Sequence, residues 1–552
     1  MAPPARALGE VNELVAIILA FLDNRSLARA ACVCRRWSEI ALGVLWREVD
    51  DLHRLFSMLC PFAKPMKKMG EGGRMLQSFK FKRDIYQKDW QRFSRYSTHV
   101  RRLVFDERSP KYRTKVLDNS VFFMSTTRKI VRGGILPNLQ TIVWHVHTPD
   151  TQLQSLSLMH RGLRELDVQI LPPGSYSTTA IDFVYQISQW APNLTHLTLR
   201  RRGPVRELEE DICRLLENLL KLQKVDIPLC GSTNSIMEEL SRLEDLREVA
   251  LAGPDEGGMG DPMDVLGFSP ELQEDAFPVL RRMSFSARIP AATRFLQSPF
   301  FPERLTRLHV HAVDVVDPDV LETFFSTVAR NCPELVELTV DFILCPDVSL
   351  VVPAPPMDAR PSIATFRPLF ACRRITSFEF RWDYAPCLQD HDMEEFALAW
   401  PGLEHFMLNS SAVIEFTPSP LTLGALIPFA RHCLRLRHLG LYINADARPS
   451  RAVEQPFRSL EKLSVGASNI AAADSVALFL SQLCTPVCEI VAGLRWPDAY
   501  GLALDNAGIF DERRTMICDS WVRWNEVVKV LPVVIKARRE ERGRVAFLQH
   551  GI

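Results

Sequence analysis

No apolar run in the 552-residue sequence is long enough to cross a membrane. The longest clean run, residues 14–22, falls far short of the roughly 20 residues that a spanning helix needs. It does not read as a secretory leader either, because Glu10 and Glu13 lie close to it and only Arg6 supplies positive charge upstream. Net charge is missing as well, since 66 Lys and Arg balance 66 Asp and Glu. The whole-chain field therefore gives no reason to expect a partner among nucleic acids or membrane surfaces. The thirteen cysteines are odd in number, scattered, and mostly set in apolar segments. Free thiols in a reducing compartment, cytoplasmic or nuclear, are the simplest reading.

Motifs that carry catalysis are absent too. The sequence holds no GxxxxGK, GxGxxG, HExxH or GxSxG, and no paired CxxC. Cys32 and Cys34 are placed on a helix, where their thiols point apart. Cys484 and Cys488 are four residues apart, which on a helix would put them on one face, but no second ligand pair is near. Both read as buried apolar thiols. His145 and His147 flank a strand position and read as surface groups. No catalytic residue, cofactor or metal is expected, and an enzyme is the weaker reading.

What is present begins in the first fifty residues. Leu14, Ile17, Ile18, Phe21 and Leu22 fall at i, i+3, i+4, i+7 and i+8, one apolar stripe on a helix. Asp23 and Asn24 are turn formers, and Ser26 is placed to cap a second helix starting near Leu27. A third helix runs through Val33, Trp37 and Ile40 toward Leu45 and Trp46. Three helices in so few residues cannot build a large core alone, and marginal modules of this kind are often completed by a partner.

The order Glu13-Leu14, Leu19, Leu22-Asp23, Leu27, Val33-Cys34, Arg36-Trp37 and Leu45-Trp46 resembles the F-box motif from end to end. Residues 50–62, Asp89 through Phe93, Tyr96, and Val100 through Leu103 resemble the segments that follow it in a large group of fungal F-box proteins. The resemblance implies an F-box domain over 8–50 that binds a Skp-type adaptor and, through it, a cullin–RING ubiquitin ligase. It carries the adaptor contacts onto Leu14, Ile18, Leu27, Val33, Cys34 and Trp37. The family's usual Leu-Pro opening would fall on Glu10 and Val11 and is missing here. The competing reading is a generic three-helix cap with Trp37 and Trp46 as plain core aromatics.

Residues 51–99 read as a connector. Lys64, Lys67, Lys68, Arg74, Lys80, Lys82 and Arg83 precede Trp90, and Gly70, Gly72 and Gly73 mark a flexible stretch. Basic residues interleaved with Phe79, Phe81, Tyr86 and Trp90 allow contact with single-stranded nucleic acid. A solvated linker whose aromatics pack onto the first repeat is the favoured alternative.

From residue 100 one pattern recurs: apolar, two residues, apolar, one residue, apolar. It runs from Val100-Leu103-Phe105 through Leu194-Leu197-Leu199 to Leu460-Leu463-Val465, with a possible last copy at Val487-Ile490-Ala492. Leu103 and Leu463 are 360 residues and twelve steps apart, a mean period of 30, near the roughly 20–29 of leucine-rich repeats. The second and third positions, two apart, point to one side of a short strand, and helical text fills the intervals. The expected fold is α/β: the three-helix module, an irregular leucine-rich-repeat solenoid over 100–505, and one or two capping helices over 506–552. An ordinary α/β domain with one parallel sheet is the alternative. The consensus Asn after the strand is mostly absent, Asn444 being the one clear case. Residues 253–270 and 345–361 read as surface loops.

An unknown protein client is placed on the inner strand face. The polar positions flanking the buried ones would point outward there: Arg307, His309 and His311, then Glu337, Thr339 and Asp341, then Ser377, Glu379 and Arg381. A parallel array sets such side chains in rows roughly 4.8 Å apart, which suits extended peptide capture. A plain solvated surface explains the same polarity. The two function classes that remain are a ubiquitin-ligase substrate receptor and a repeat scaffold that never joins a ligase.

Overall fold

The computed structural model describes residues 12–550 apart from 70–72, 74, 127–133, 172–177, 254–257, 315–316, 343–354, 383, 411, 413–414, 416, 448–452 and 494–509. Positions Glu10 and Val11, Gly70, Gly72 and Arg74, and most of the 345–361 loop lie outside the described residues. The chain divides into two compact units, residues 1–228 with short returns at 243–246 and 256–259, and the remainder.

The first unit opens with helices α1 (Asn12–Ala20), α2 (Asn24–Ala30) and α3 (Arg35–Leu45). Then come β1 (Glu48–Val49), helix α4 (Leu52–Leu59), β2 (Met66–Met69), β3 (Met75–Phe79), helix α5 (Gln87–Ser97), β4 (Arg102–Asp106) and β5 (Lys115–Leu117). Strands β6 (Thr141–His145), β7 (Glu165–Ile170), β8 (His196–Arg201) and β9 (Lys224–Pro228) complete it. β1, β4, β6, β7, β8 and β9 pair in that order, every pair parallel. β2, β3 and β5 form a separate small sheet.

The second unit carries β10 (Glu248–Ala252), β11 (Arg282–Ala287), β12 (Arg307–Ala312), β13 (Glu337–Asp341) and β14 (Ser377–Arg381). β15 (His405–Leu408), β16 (His438–Leu441), β17 (Lys462–Gly466) and β18 (Glu489–Ala492) follow. Each is parallel to the next. Both units are thus stretches of an α/β solenoid of the leucine-rich-repeat kind.

The triplets explain this arrangement. Leu194, Leu197 and Leu199 are buried and Thr198 between them is not. The apolar positions of the other copies are buried too, except that Leu251 is half-buried and that the expected last copy fails, Val487 being exposed and Ala492 half-buried. Small Ser284, Gly440 and Ser464 are buried between their strand positions. The leading residue closes a turn, as where Leu163 N–H donates to His160 O at 2.9 Å and Leu335 N–H to Cys332 O at 3.2 Å. The next two N–H groups share one carbonyl of the preceding repeat: Gln140 and Thr141 both donate to Arg101 O, and Arg164 and Glu165 both to Gln140 O. Asn138 and Asn193, just before the leading residue, donate side-chain bonds to the preceding turn at Thr98 O and Arg161 O. Each repeat therefore buries its apolar side and satisfies its backbone only with neighbours.

Several expectations change. The 51–99 interval is folded: Leu52, Leu55, Phe56 and Leu59 are buried, and Phe56 packs edge-on against Phe81 and Phe122. The array begins earlier than Val100, at β1, because Arg101 and Arg102 N–H groups donate to Arg47 O. Asn444 is not alone in bridging strand ends. Buried Asn409, at φ 48°, accepts from Trp382 N–H at 2.9 Å and donates to Tyr384 O at 2.5 Å. It sits directly after the third apolar position, outside the consensus spacing. The 253–270 segment is not all surface loop, since Phe268 is buried and stacks on Phe285. At the C-terminal end one helix, Phe510–His550, packs Trp524, Val527, Leu531 and Ile535 inward. Trp524 Nε1 donates to Ser468 O at 2.9 Å.

Candidate functional site

The three N-terminal helices share a very small core of Val15, Leu19, Leu27, Ala30 and Ala41, against which Trp37, Ile40, Val44 and Leu45 pack partly buried. Local chemistry fixes the corners. Asp23, not Ser26, caps α2: its carboxylate accepts from Ser26 N–H at 2.9 Å, and these Ser26 hydrogen bonds lower its pKa. Cys34 caps α3, its sulfur accepting from Trp37 N–H at 3.5 Å. Asn12 Oδ1 accepts from Arg36 Nε at 2.7 Å, tying α1 to α3.

α1 is apolar on both sides. Val15 and Leu19 face inward, which leaves Leu14, Ile17, Ile18, Phe21 and Leu22 on the outside. Ile17 is 56% exposed, Ile18 54% and Phe21 86%, and Val33, before α3, is 66% exposed. A cluster of large exposed apolar side chains on one small module marks an interaction surface. Of the six residues expected to contact an adaptor, Leu14, Ile18, Val33 and Cys34 are exposed and Trp37 is partly so. Leu27 is 3% exposed and belongs to the core, so it supports the surface from beneath. Ile17 and Phe21 belong with the exposed residues; the i, i+3, i+4 spacing already groups them with Ile18.

The module runs on into the first unit without a linker. Trp46 is buried against Tyr96, ring centroids 5.4 Å apart, with the Arg54 guanidinium 4.9 Å above its ring.

The strand face of the second unit differs from expectation. His311 and Asp341 do not point into solvent; both are buried, because the Asp341 carboxylate sits between His309 Nε2, at 2.7 Å, and His311 Nδ1. Burial alone would push the Asp341 carboxyl up, but His311 and His309 hold it well below the usual carboxylate range. Arg307 pairs with Glu337 on the neighbouring strand, and Arg381 Nε donates to Glu379 at 2.7 Å. The alternating charges on this face therefore neutralise one another. Further along, His405 and His438 set their Nδ1 atoms 3.4 Å apart, and burial lowers the His405 pKa. The first unit uses the same device: Asp167 accepts from Arg200 Nε at 2.7 Å and lies 3.1 Å from His145 Nε2.

Among the described residues no group of three or more His, Cys, Asp or Glu is arranged to hold a metal. Cys484 and Cys488 do not share a helix face, because the helix Ala473–Leu483 ends before them. The neighbouring Cys488 thiol and burial push the Cys484 thiol up. Cys34 lies at a helix cap and Cys32 in the turn before it, where its Sγ donates to Ala28 O at 3.4 Å.

Residues 12–51 match the model of the F-box-like family. No curated protein matches the chain. Among solved structures, a chain of the yeast complex described as "Crystal structure of Rad7 and Elc1 complex in yeast" is similar at 13% identity, over 72% of this chain and 88% of that one. Its TM-score is 0.34, too weak a likeness to bear on function.

Proposed function

We propose that this chain is a substrate-recognition subunit of a Skp–cullin–F-box type ubiquitin ligase. The premise is the F-box-like module at residues 12–51. The observation that carries the reading is the exposed apolar stripe of Leu14, Ile17, Ile18 and Phe21 with Val33, on a module whose own core holds only five buried residues. Fully burying one such side chain is worth about 1.5–3 kcal/mol, so a partner covering several of them gains enough to offset the cost of association. A Skp-type adaptor is that partner, and a cullin–RING ligase joins through it. The repeats present an unidentified protein client, and the chain itself performs no catalysis. No nucleic acid or membrane takes part, and the site of action is cytoplasmic, nuclear or both.

Purification of the tagged chain from cells, probed for the Skp adaptor and cullin, tests the assignment. Both are expected in the wild-type eluate and neither with Ile18→Asp plus Val33→Asp. Absence of both from the wild-type eluate would support the scaffold reading, which the presence of Glu10-Val11 in place of the usual Leu-Pro keeps alive.

A further inference from the structure

The small sheet of β2, β3 and β5 has no part in the proposed assembly, yet among the described residues no strand pairs with its outer edge. β2 pairs antiparallel with β3, and β3 pairs on its other side with β5, so β2 is an outer strand. All four of its residues, Met66 to Met69, are exposed. A strand in that position presents N–H and C=O groups that no neighbouring strand takes up.

The charge on this sheet has one sign. The segments Met66–Met69, Met75–Phe79 and Lys115–Leu117 contain Lys67, Lys68 and Lys115 and no acidic residue. Lys67, Gln77 and Lys115 are register partners and so stand in one row on one face, while Lys68 lies beside Leu76 on the other. Nearby Lys80 is engaged with Asp118 at 3.5 Å, and Lys111 with Asp50. Lys67, Lys68 and Lys115 are exposed, and none has an ion pair among the described residues.

We infer that β2 is a docking strand for an extended acidic peptide, which adds to the sheet along Met66–Met69 with carboxylates beside Lys67 and Lys68. Lys115, in the same row as Lys67, raises the local potential. Backbone pairing supplies the attachment and the lysines the selectivity, as in other strand additions. A second copy of this chain is disfavoured at the same edge, because lysine would stand opposite lysine.

Single-stranded nucleic acid fits this surface less well. Such sites join positive charge to free aromatic faces on which bases stack. Here the rings are occupied: Phe62 stacks on Phe81 with centroids 5.6 Å apart and meets Phe79 edge-on, and His53 packs against Phe79. Trp90 is buried, and the Arg83 guanidinium lies 4.6 Å above the Tyr86 ring.

The experiment is fluorescence anisotropy on the full chain with four labelled probes. These are a peptide of repeating Glu-Glu-Val-Val, the same peptide N-methylated at every residue so that neither edge can pair, a Lys-Lys-Val-Val peptide, and oligo-dT. The acidic peptide is expected to bind, and N-methylation or Lys67→Glu plus Lys68→Glu to weaken it by about tenfold or more with an unchanged melting curve. If the reversal variant melts early, Lys67→Gln plus Lys68→Gln replaces it, with a smaller loss in the same direction. No binding by the acidic peptide overturns the inference, as does equal binding of the Lys-Lys-Val-Val peptide. Equal binding of the N-methylated peptide overturns strand addition. Oligo-dT bound as tightly as the acidic peptide, and released by the same substitutions, makes the surface a nucleic-acid site instead.

Discussion

The N-terminal module and the repeats treat apolar residues in opposite ways. In the repeats, Leu197, Leu338, Phe378 and Phe406 all lie inside, and the polar residues flanking them are paired across strands, Arg307 with Glu337 and Asp341 with its two histidines. In the module, Ile17, Ile18, Phe21 and Val33 stay outside a core of five residues. The strands of the repeats cover their apolar residues with neighbouring repeats, whereas the module's apolar stripe is left uncovered among the described residues. Extent of self-satisfaction, more than hydrophobicity, separates the two.

The contrast is broken most readily by truncation. Trp400→Ala removes a fully buried ring that packs on Phe378 and Phe396, and should cost about 3–5 kcal/mol. Ile18→Ala in the module should change stability by less than about 0.5 kcal/mol. Urea unfolding of both variants checks this; a loss with Ile18→Ala as large as with Trp400→Ala would make the stripe a core element.

A smaller effect sharpens the same contrast on the polar side. Asp341→Ala leaves buried His311 without its carboxylate and should cost about 1–3 kcal/mol. Because the folded pKa of Asp341 is depressed below its unfolded value of about 3.9, its contribution is present above that pH and is lost as acid protonates the folded carboxylate. Denaturant midpoints should therefore fall more steeply for the wild type than for Asp341→Asn as the pH drops from about 4 to about 2, and not above that range. Parallel slopes would show that the two histidines do not hold the charge.

The smallest stability change belongs to the exposed pairs. Arg307→Glu with Arg381→Glu should cost at most about 1 kcal/mol, since surface ion pairs contribute little. Mass spectrometry of co-purifying proteins should show the adaptor retained and at least one client lost. An unchanged client list would remove this strand face from consideration.

Much of the fold is legible in the sequence, because the leading residue and the two strand residues of each triplet are local constraints repeated many times. Leu194, Leu197 and Leu199 need no knowledge of distant residues. β1 escapes such a reading because Glu48 and Val49 are too short to show the pattern and are strand only through pairing with Arg102 and Leu103. Burial of His311 escapes it because the partner Asp341 is 30 residues away. The cap of α2 is Asp23 rather than Ser26, since both residues are suitable in type and only Asp23 stands just before the helix. At the candidate site, the stripe of Leu14, Ile17, Ile18, Phe21 and Leu22 is visible as one helix face. Which way that face turns depends on Val15 and Leu19, whose burial is decided by Leu27 and Ala41 on other helices.

The exposed stripe stands or falls as a binding surface for the adaptor. Titration calorimetry of the purified chain with a purified Skp-type adaptor tests it most directly, using wild type and Ile18→Asp plus Val33→Asp proteins with matched melting curves. Saturable one-to-one binding is expected of the wild type, with the negative heat-capacity change of apolar burial, and at least about a hundredfold weaker binding of the variant. Equal affinity of the two proteins, or no binding by the wild type, would contradict it.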